Sequence, residues 1–257
     1  MSSSGISAFW LKIIAITGMV LQHAALSMRG VFPLGLEIFL QISGGLTFPI
    51  LAYFLVEGYR HTSDLKRYKT RLLIFGAISF VPHLMSLGSG LNIMFTMLAG
   101  LIVLEMRSRY GSTAKFWLIF ALASLLLIFF DWGTLGLVII LLNETIKTEK
   151  MRRILIPIIA AVGIIVYSAI MGIALSPFVD MEALAAKQTI AGAFFPIGSL
   201  LAIPLLLMYK GERGRRMKWF FYWFYPAHLV ALAIISLLLG TNNLVNAISE
   251  ALYALPK

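Results

Sequence analysis

The sequence is 257 residues long, 60% hydrophobic and only 12% charged, with a mean hydropathy of +0.92. Soluble domains run at roughly 45–50% apolar and about 25% charged, so this composition excludes a soluble globular protein and implies a polytopic membrane protein. The formal charge of +10 is not a nucleic-acid signature, because Lys and Arg cluster at the ends of apolar runs, as the flanks of membrane spans do. The absence of cysteine excludes disulfides, thiol nucleophiles and thiolate metal sites.

Apolar runs of about 15–25 residues, broken by short polar or basic segments, are the pattern of a helical bundle and not of an outer-membrane barrel. The predicted fold is all-α: a single membrane domain over residues 1–257 with about nine transmembrane helices embedded in lipid. The first span is 8–28. Ala24-Ala25-Leu26-Ser27 has the look of a cleavage site, but the leader carries no positive charge and His23 lies inside the run, so it reads as a retained span. The second, 34–56, follows Arg29-Gly30-Val31-Phe32-Pro33. A basic loop then leads to the third, 72–87, which contains Pro82 and His83, and Gly88-Ser89-Gly90 turns the chain into the fourth, 91–106.

Residues 116–143 are too long for one span at about 1.5 Å per residue, and Asp131-Trp132-Gly133 sits in their middle. A hairpin of two short helices, 116–130 and 133–146, is predicted. Lys147, Lys150, Arg152 and Arg153 precede the span 154–175, a polar connection covers 176–189, and the span 190–209 ends in a strongly basic segment, 210–218. The last span is 219–239. The tail 240–257 has roughly helical apolar spacing and little charge, which predicts an interfacial segment. With this parity, 18 of the 21 Lys and Arg residues fall on one side, leaving only Arg29, Lys187 and Lys257 on the other. The positive-inside rule then puts the N-terminus inside and the C-terminus outside.

An imidazole in a membrane span is costly and usually faces a bundle interior or aqueous cavity. Counting about 1.5 Å per residue from the basic ends places His23 and His83 roughly 20 Å into a ~30 Å hydrocarbon layer and His228 near the midplane. Matching depth and an aqueous pKa of ~6.5 suit His23 and His228 to general-base chemistry. A lone histidine such as His83 can equally donate to a neighbouring carbonyl. Arg29, Glu37, Asn92 and Asp131 add polar groups toward the outer side, although Asp-Trp-Gly is also good turn chemistry. Pro226 is predicted to break its helix just before His228, and Tyr225 stands beside it. No helix face carries a pair of ligands with metal spacing, so no metal is expected. On the inner side, Arg60, Lys66, Arg67, Lys69 and Arg71 crowd beneath Glu57, an arrangement that suits a bound polyphosphate as well as membrane orientation.

Several segments in order carry a family resemblance. Leu11-Lys12-Ile13-Ile14-Ala15-Ile16 with Gln22-His23, Phe48-Pro49-Ile50 leading to Glu57-Gly58-Tyr59-Arg60-His61-Thr62, Arg71-Leu72-Leu73-Ile74-Phe75, Asn92-Ile93-Met94-Phe95-Thr96, and the closing Tyr225-Pro226-Ala227-His228 together resemble the TraX family of membrane proteins from conjugation systems. The resemblance runs from the first span to the last. It implies an acetyltransferase of the bacterial inner membrane that moves an acetyl group from cytosolic acetyl-CoA to an amine or hydroxyl reached from the outer side, such as an exported peptide, a pilin N-terminus or a small amine.

On that reading His23 is the base and His228 orients or polarises the thioester, with Asp131 as a candidate carboxylate. Arg60, Lys66, Arg67, Arg71 and Glu57 form the donor side. Arg29, Glu37, His83, Asn92 and Tyr225 form the acceptor side. The chain departs from the family at Gln22, where the family commonly has aspartate, so the imidazole lacks a local acidic neighbour. Two other readings fit the composition: a proton-coupled transporter, for which no internal symmetry is visible, and a non-enzymatic assembly factor, which needs no polar interior.

Overall fold

The computed structural model describes residues 5–88, 90–128, 130–175, 187–242 and 245. Among them every regular element is helical: α1 (Ala8–Ser27), α2 (Leu34–Gly45), α3 (Thr47–His61), α4 (Leu65–Leu87), α5 (Ile93–Tyr110), α6 (Ala114–Leu126), α7 (Gly133–Thr145), α8 (Glu149–Leu175), α9 (Lys187–Gly192), α10 (Phe195–Leu207) and α11 (Lys218–Leu238). By length and composition six stretches among the described residues are able to cross a membrane, counting α2–α3 as one and α9–α10 as one; α6 and α7 are shorter apolar helices. Large apolar side chains stand exposed on several of these helices, among them Leu122 and Leu126 of α6, Ile165 and Ile173 of α8, and Ile234 and Leu238 of α11. His23, Asn92, Thr96 and Arg152 are buried. That inversion is what lipid as solvent selects, and the chain is a multi-pass membrane protein.

The expected span 34–56 is two helices. Gly44 and Gly45 end α2, and Pro49 falls in the first turn of α3, where its missing N–H leaves no intrahelical bond unmade. Helix α4 begins seven residues before the expected span because Asp64 caps it, its side chain accepting from Arg67 N at 2.9 Å. Helix α11 runs through Pro226 without ending, a correction to the expected break; the proline removes one donor but the turns on either side hold. Residues 176–186 of the polar connection, Ser89, and most of the tail 240–257 lie outside the described residues.

Two compact units divide the chain. The first comprises residues 1–22, 32–61 and 135–216. Its core joins Leu11 and Ala15 of α1, Ile50, Tyr53 and Phe54 of α3, and Ala202 and Leu206 of α10. Helices α2 and α10 meet through glycine: a Cβ on Gly198 would lie 1.9 Å from Ile42 O, and one on Gly45 would lie 2.1 Å from Phe195 O. Ser199 Oγ donates to Gly45 O at 2.9 Å across the same contact, so small residues let two backbones touch. Gly198→Ala is expected to destabilise the protein by about 1–3 kcal/mol through overpacking, read as a lowered melting temperature in detergent.

The second unit comprises residues 23–31, 62–134 and 217–257, built on α4, α5, α6, α11 and the end of α1. Helices α4 and α11 run in the same direction. Phe75 stacks on Tyr222 with ring centroids 5.1 Å apart, and ten residues further along α4 Asn242 Nδ2 bridges Met85 O and Ser236 Oγ at 2.9 Å each. Ser27 Oγ, at the end of α1, receives a hydrogen bond from Ser86 Oγ of α4 at 3.3 Å and reaches Leu232 O of α11 at 3.5 Å. These polar contacts pin the three helices one turn beyond their histidines.

Candidate active site

Residues 205 apart in sequence meet in the second unit: Nδ1 of His23 lies 3.0 Å from Nε2 of His228, and the rings are stacked at 19° with centroids 5.2 Å apart. Both are buried. The other nitrogen of His228, Nδ1, is 3.1 Å from the Phe224 carbonyl oxygen. A carbonyl only accepts, so His228 carries its proton on Nδ1 and leaves Nε2 bare. His23 must then donate from Nδ1 into that lone pair, and the remaining nitrogen, Nε2 of His23, carries an unprotonated lone pair. The relay Phe224 carbonyl, His228, His23 thus fixes one tautomer of each neutral ring. A base needs that arrangement.

Other groups gather around this pair. His83, buried on α4, is within electrostatic range of both rings. Tyr225 sets its edge against His228, with centroids 5.3 Å apart, and its buried hydroxyl lies within hydrogen-bonding reach of the Ile93 backbone. The Ser79 hydroxyl, fully buried, has no hydrogen-bond partner among the described residues. Since Phe75 is level with Tyr222 and the two helices run in parallel, Ser79, four residues on, is level with the turn of α11 that carries Tyr225 and His228. Buried hydroxyls without partners cost about 1–3 kcal/mol each.

Asn92 and Asp131 build the floor of this region. Asn92 caps α5 through Met94 N and donates to Gly76 O at 2.8 Å. Asp131 sits in the turn between α6 and α7, its backbone N–H donating to Leu91 O at 2.8 Å and its carbonyl accepting from Thr96 Oγ1 at 2.6 Å. Next to it, Trp132 has a φ of +61°, a left-handed conformation that side chains rarely adopt, so the turn is held against strain. Asp131 is also an electrostatic neighbour of Tyr225.

The TraX protein family model matches residues 7–236. The chain belongs to the TraX family. It is also 31% identical over 243 residues to a protein of Dichelobacter nodosus named "Probable fimbrial assembly protein FimC, serogroup H1", covering 88% of this chain and 94% of that one. No solved structure matches.

Within this TraX-family chain Gln22, where the resemblance implies an aspartate, has a structural context. Its side chain turns toward Gln41, 3.5 Å away, and packs on Gly44, since adjacent residues on a helix point about 100° apart. An aspartate there would face α2, and the hydrogen bond to Nδ1 of His23 is filled by imidazole.

The remaining expected residues separate. Arg29 is exposed and donates to Leu26 O at 3.2 Å. Glu37, in the first unit, is buried with one carboxylate oxygen unpartnered among the described residues. Also in the first unit, Glu57 and Arg60 belong to an ion network: Arg60 engages Glu144 at 2.9 Å and lies within 3.8 Å of Glu57 and Glu149. In the second unit Arg67 pairs with Asp64 at 3.2 Å and Lys66 is exposed. Arg71 donates to Tyr222 OH at 3.3 Å and stacks on the Tyr68 ring.

Sequence reading missed Ser79 and Arg152. Ser79 offers one signal, its place four residues before His83 on one helix face. Arg152 offers none, because a buried arginine and an orientation charge look alike beside a span.

Proposed function

We propose that this protein is an acetyltransferase in which His23 is the general base, and the observation that carries the reading is the bare Nε2 that the His228 relay leaves on His23. The reaction balances with these groups alone. The acceptor amine nitrogen attacks the thioester carbonyl carbon of acetyl-CoA while Nε2 of His23 takes the amine proton. As the tetrahedral intermediate collapses, the carbon–sulfur bond breaks and the imidazolium returns the proton to the departing thiolate. His228 keeps His23 in the productive tautomer, the part a carboxylate plays in other dyads. Ser79 and Tyr225 donate to the carbonyl oxygen as charge develops on it. Asp131 and His83 set the field around the pair.

Nine crossings with the N-terminus inside, in the bacterial inner membrane, account for the one-sided basic loops. Acetyl-CoA then arrives from the inner side, drawn by inner-side cations such as Lys66 and Arg67. The acceptor arrives from the outer side, on the side of Arg29 and Asn92. Family membership and the fimbrial assembly name of the relative favour a pilin-related acceptor, with an exported subunit's N-terminal amine the first candidate.

The reading is tested by mass spectrometry of candidate peptides and small amines after incubation with purified protein and acetyl-CoA. Acetylated amine is expected. Proton uptake by liposomes containing the protein, without any acetylated product, would make the chain a carrier instead. Ser79→Ala is expected to lower kcat by about tenfold, less than the roughly 10²–10³ for loss of a sole oxyanion donor because Tyr225 shares the task. KM for acetyl-CoA should change little. Full activity in Ser79→Ala would remove that residue from the mechanism.

A further inference from the structure

Between residues 210 and 216 four cations, Lys210, Arg213, Arg215 and Arg216, face a single carboxylate, Glu212, which Lys210 Nζ already engages at 2.9 Å. Among the described residues the three arginines have no acidic partner, and Arg213 is within electrostatic reach of a fifth cation, Lys12. Like charges held together raise one another's energy, and an anion relieves it.

The segment is not a loose solvated loop. Four backbone hydrogen bonds wrap it around residues 5–9: Ile6 N to Met208 O at 2.8 Å, Lys210 N to Ile6 O at 3.2 Å, Ala8 N to Glu212 O at 2.8 Å and Phe9 N to Arg213 O at 3.2 Å. Membrane orientation requires cations near span ends, but it does not require this pinning. The bend forms an open cleft of about 320 Å³, lined by Ser7, Trp10, Lys210, Glu212, Gly214 and Arg215 among others. Gly214 has a φ of +70°, and a Cβ there would lie 2.6 Å from Ser7 Oγ, so the close approach that forms the cleft needs glycine. Trp10 is 56% exposed at its mouth.

An open aromatic face, a glycine-lined hollow large enough for a nucleoside, and unbalanced guanidiniums are the chemistry that recognises a phosphorylated nucleotide. The donor-side cluster expected earlier is less suited, because Arg60 is spent on Glu144 and Arg71 on Tyr222.

We propose that the cleft between residues 5–10 and 210–215 binds the phosphorylated adenosine end of coenzyme A, with the base on Trp10 and the phosphates on Arg215, which lines the cleft, and on Arg213 and Arg216, its neighbours in the chain. This rests on the acetyl-transfer reading.

The test is calorimetric titration of the full-length protein, in nanodiscs of zwitterionic lipid, with coenzyme A, dephospho-CoA and adenosine 3′,5′-bisphosphate. Wild type is expected to bind coenzyme A, and to bind dephospho-CoA more weakly. The triple variant Arg213→Gln, Arg215→Gln, Arg216→Gln should lose at least about tenfold in affinity, as expected when several charge-assisted contacts go. Trp10→Ala, which keeps every charge, should lose affinity several-fold, and Lys147→Gln with Lys150→Gln should match wild type.

Unchanged coenzyme A affinity in the triple variant overturns the proposal. So does wild type that binds no coenzyme A. If the triple variant keeps its coenzyme A affinity but loses a preference for discs containing phosphatidylglycerol, the cleft holds lipid headgroups and the proposal also falls. Cleft-dependent coenzyme A binding with no amine acetylated leaves this inference standing while acetyl transfer falls. Acetylated amine with a wild-type KM for acetyl-CoA in the triple variant does the reverse.

Discussion

His23→Ala is expected to lower kcat for acetyl transfer by about 10²–10⁴, the range that a positioned general base contributes. The ring is buried with its Nδ1 committed to His228 at 3.0 Å, so its Nε2 is the nitrogen left to take the proton. His228 acts through His23, and its variants should separate position from chemistry. His228→Ala removes the acceptor that holds His23 in one tautomer and should cost less than His23→Ala. His228→Gln presents an amide oxygen that can accept from Nδ1 of His23, and it should recover part of the loss. A conservative residue would give no such rescue if His228 were itself acetylated. Steady-state kcat measured on all three variants, with KM for acetyl-CoA, decides it: equal and complete loss in His228→Ala and His228→Gln would contradict the positioning role.

Arg152→Met is expected to be the most destabilising single change in the first unit, by about 3–5 kcal/mol, as when one partner of a buried ion pair is removed. The arginine is fully buried on α8. It donates to Asn143 Oδ1 and Glu57 Oε1 at 2.9 Å each, engages Glu149, and lies 4.9 Å from the Tyr53 ring centre. Removing it leaves Glu57 without that cation and Asn143 with an unmet acceptor at the point where α3, α7 and α8 converge. Glu149 is half-exposed and recovers water, which places the cost toward the lower end. Lysine offers a point charge in place of a planar fork and cannot reach three acceptors in one plane, so Arg152→Lys should fall between. Thermal unfolding in detergent reads the order wild type, Arg152→Lys, Arg152→Met; equal melting temperatures would contradict the network's role.

The helical membrane class was legible because lipid demands long apolar runs, and the division of the stretch 116–143 into two short helices was legible because Asp131-Trp132-Gly133 interrupts it. The break between α2 and α3 was not, since Gly44, Gly45 and Pro49 are each tolerated inside a membrane helix and the close contact with Gly198 comes from a distant part of the chain. Depth counting brought His23 and His228 to similar levels, but their hydrogen bond and its tautomer depend on how α1 and α11 are rotated about their axes. Sequence spacing does not carry that angle. Gln22 illustrates the same limit: the motif suggested a missing partner for His23, whereas the helix turns residue 22 toward Gln41. Arg60 and Arg71 read as free cations because their carboxylate and phenol partners come from distant helices.

The most direct measurement is transfer of radiolabelled acetyl from acetyl-CoA to the N-terminal amine of a pilin-like peptide, by purified wild type and His23→Ala in parallel, with equal folding verified by thermal unfolding. Label on the wild-type reaction's peptide and none above background with His23→Ala is the predicted result. Equal labelling by the two proteins would contradict the assignment of His23, and coenzyme A bound by wild type with no amine labelled would contradict acetyl transfer itself.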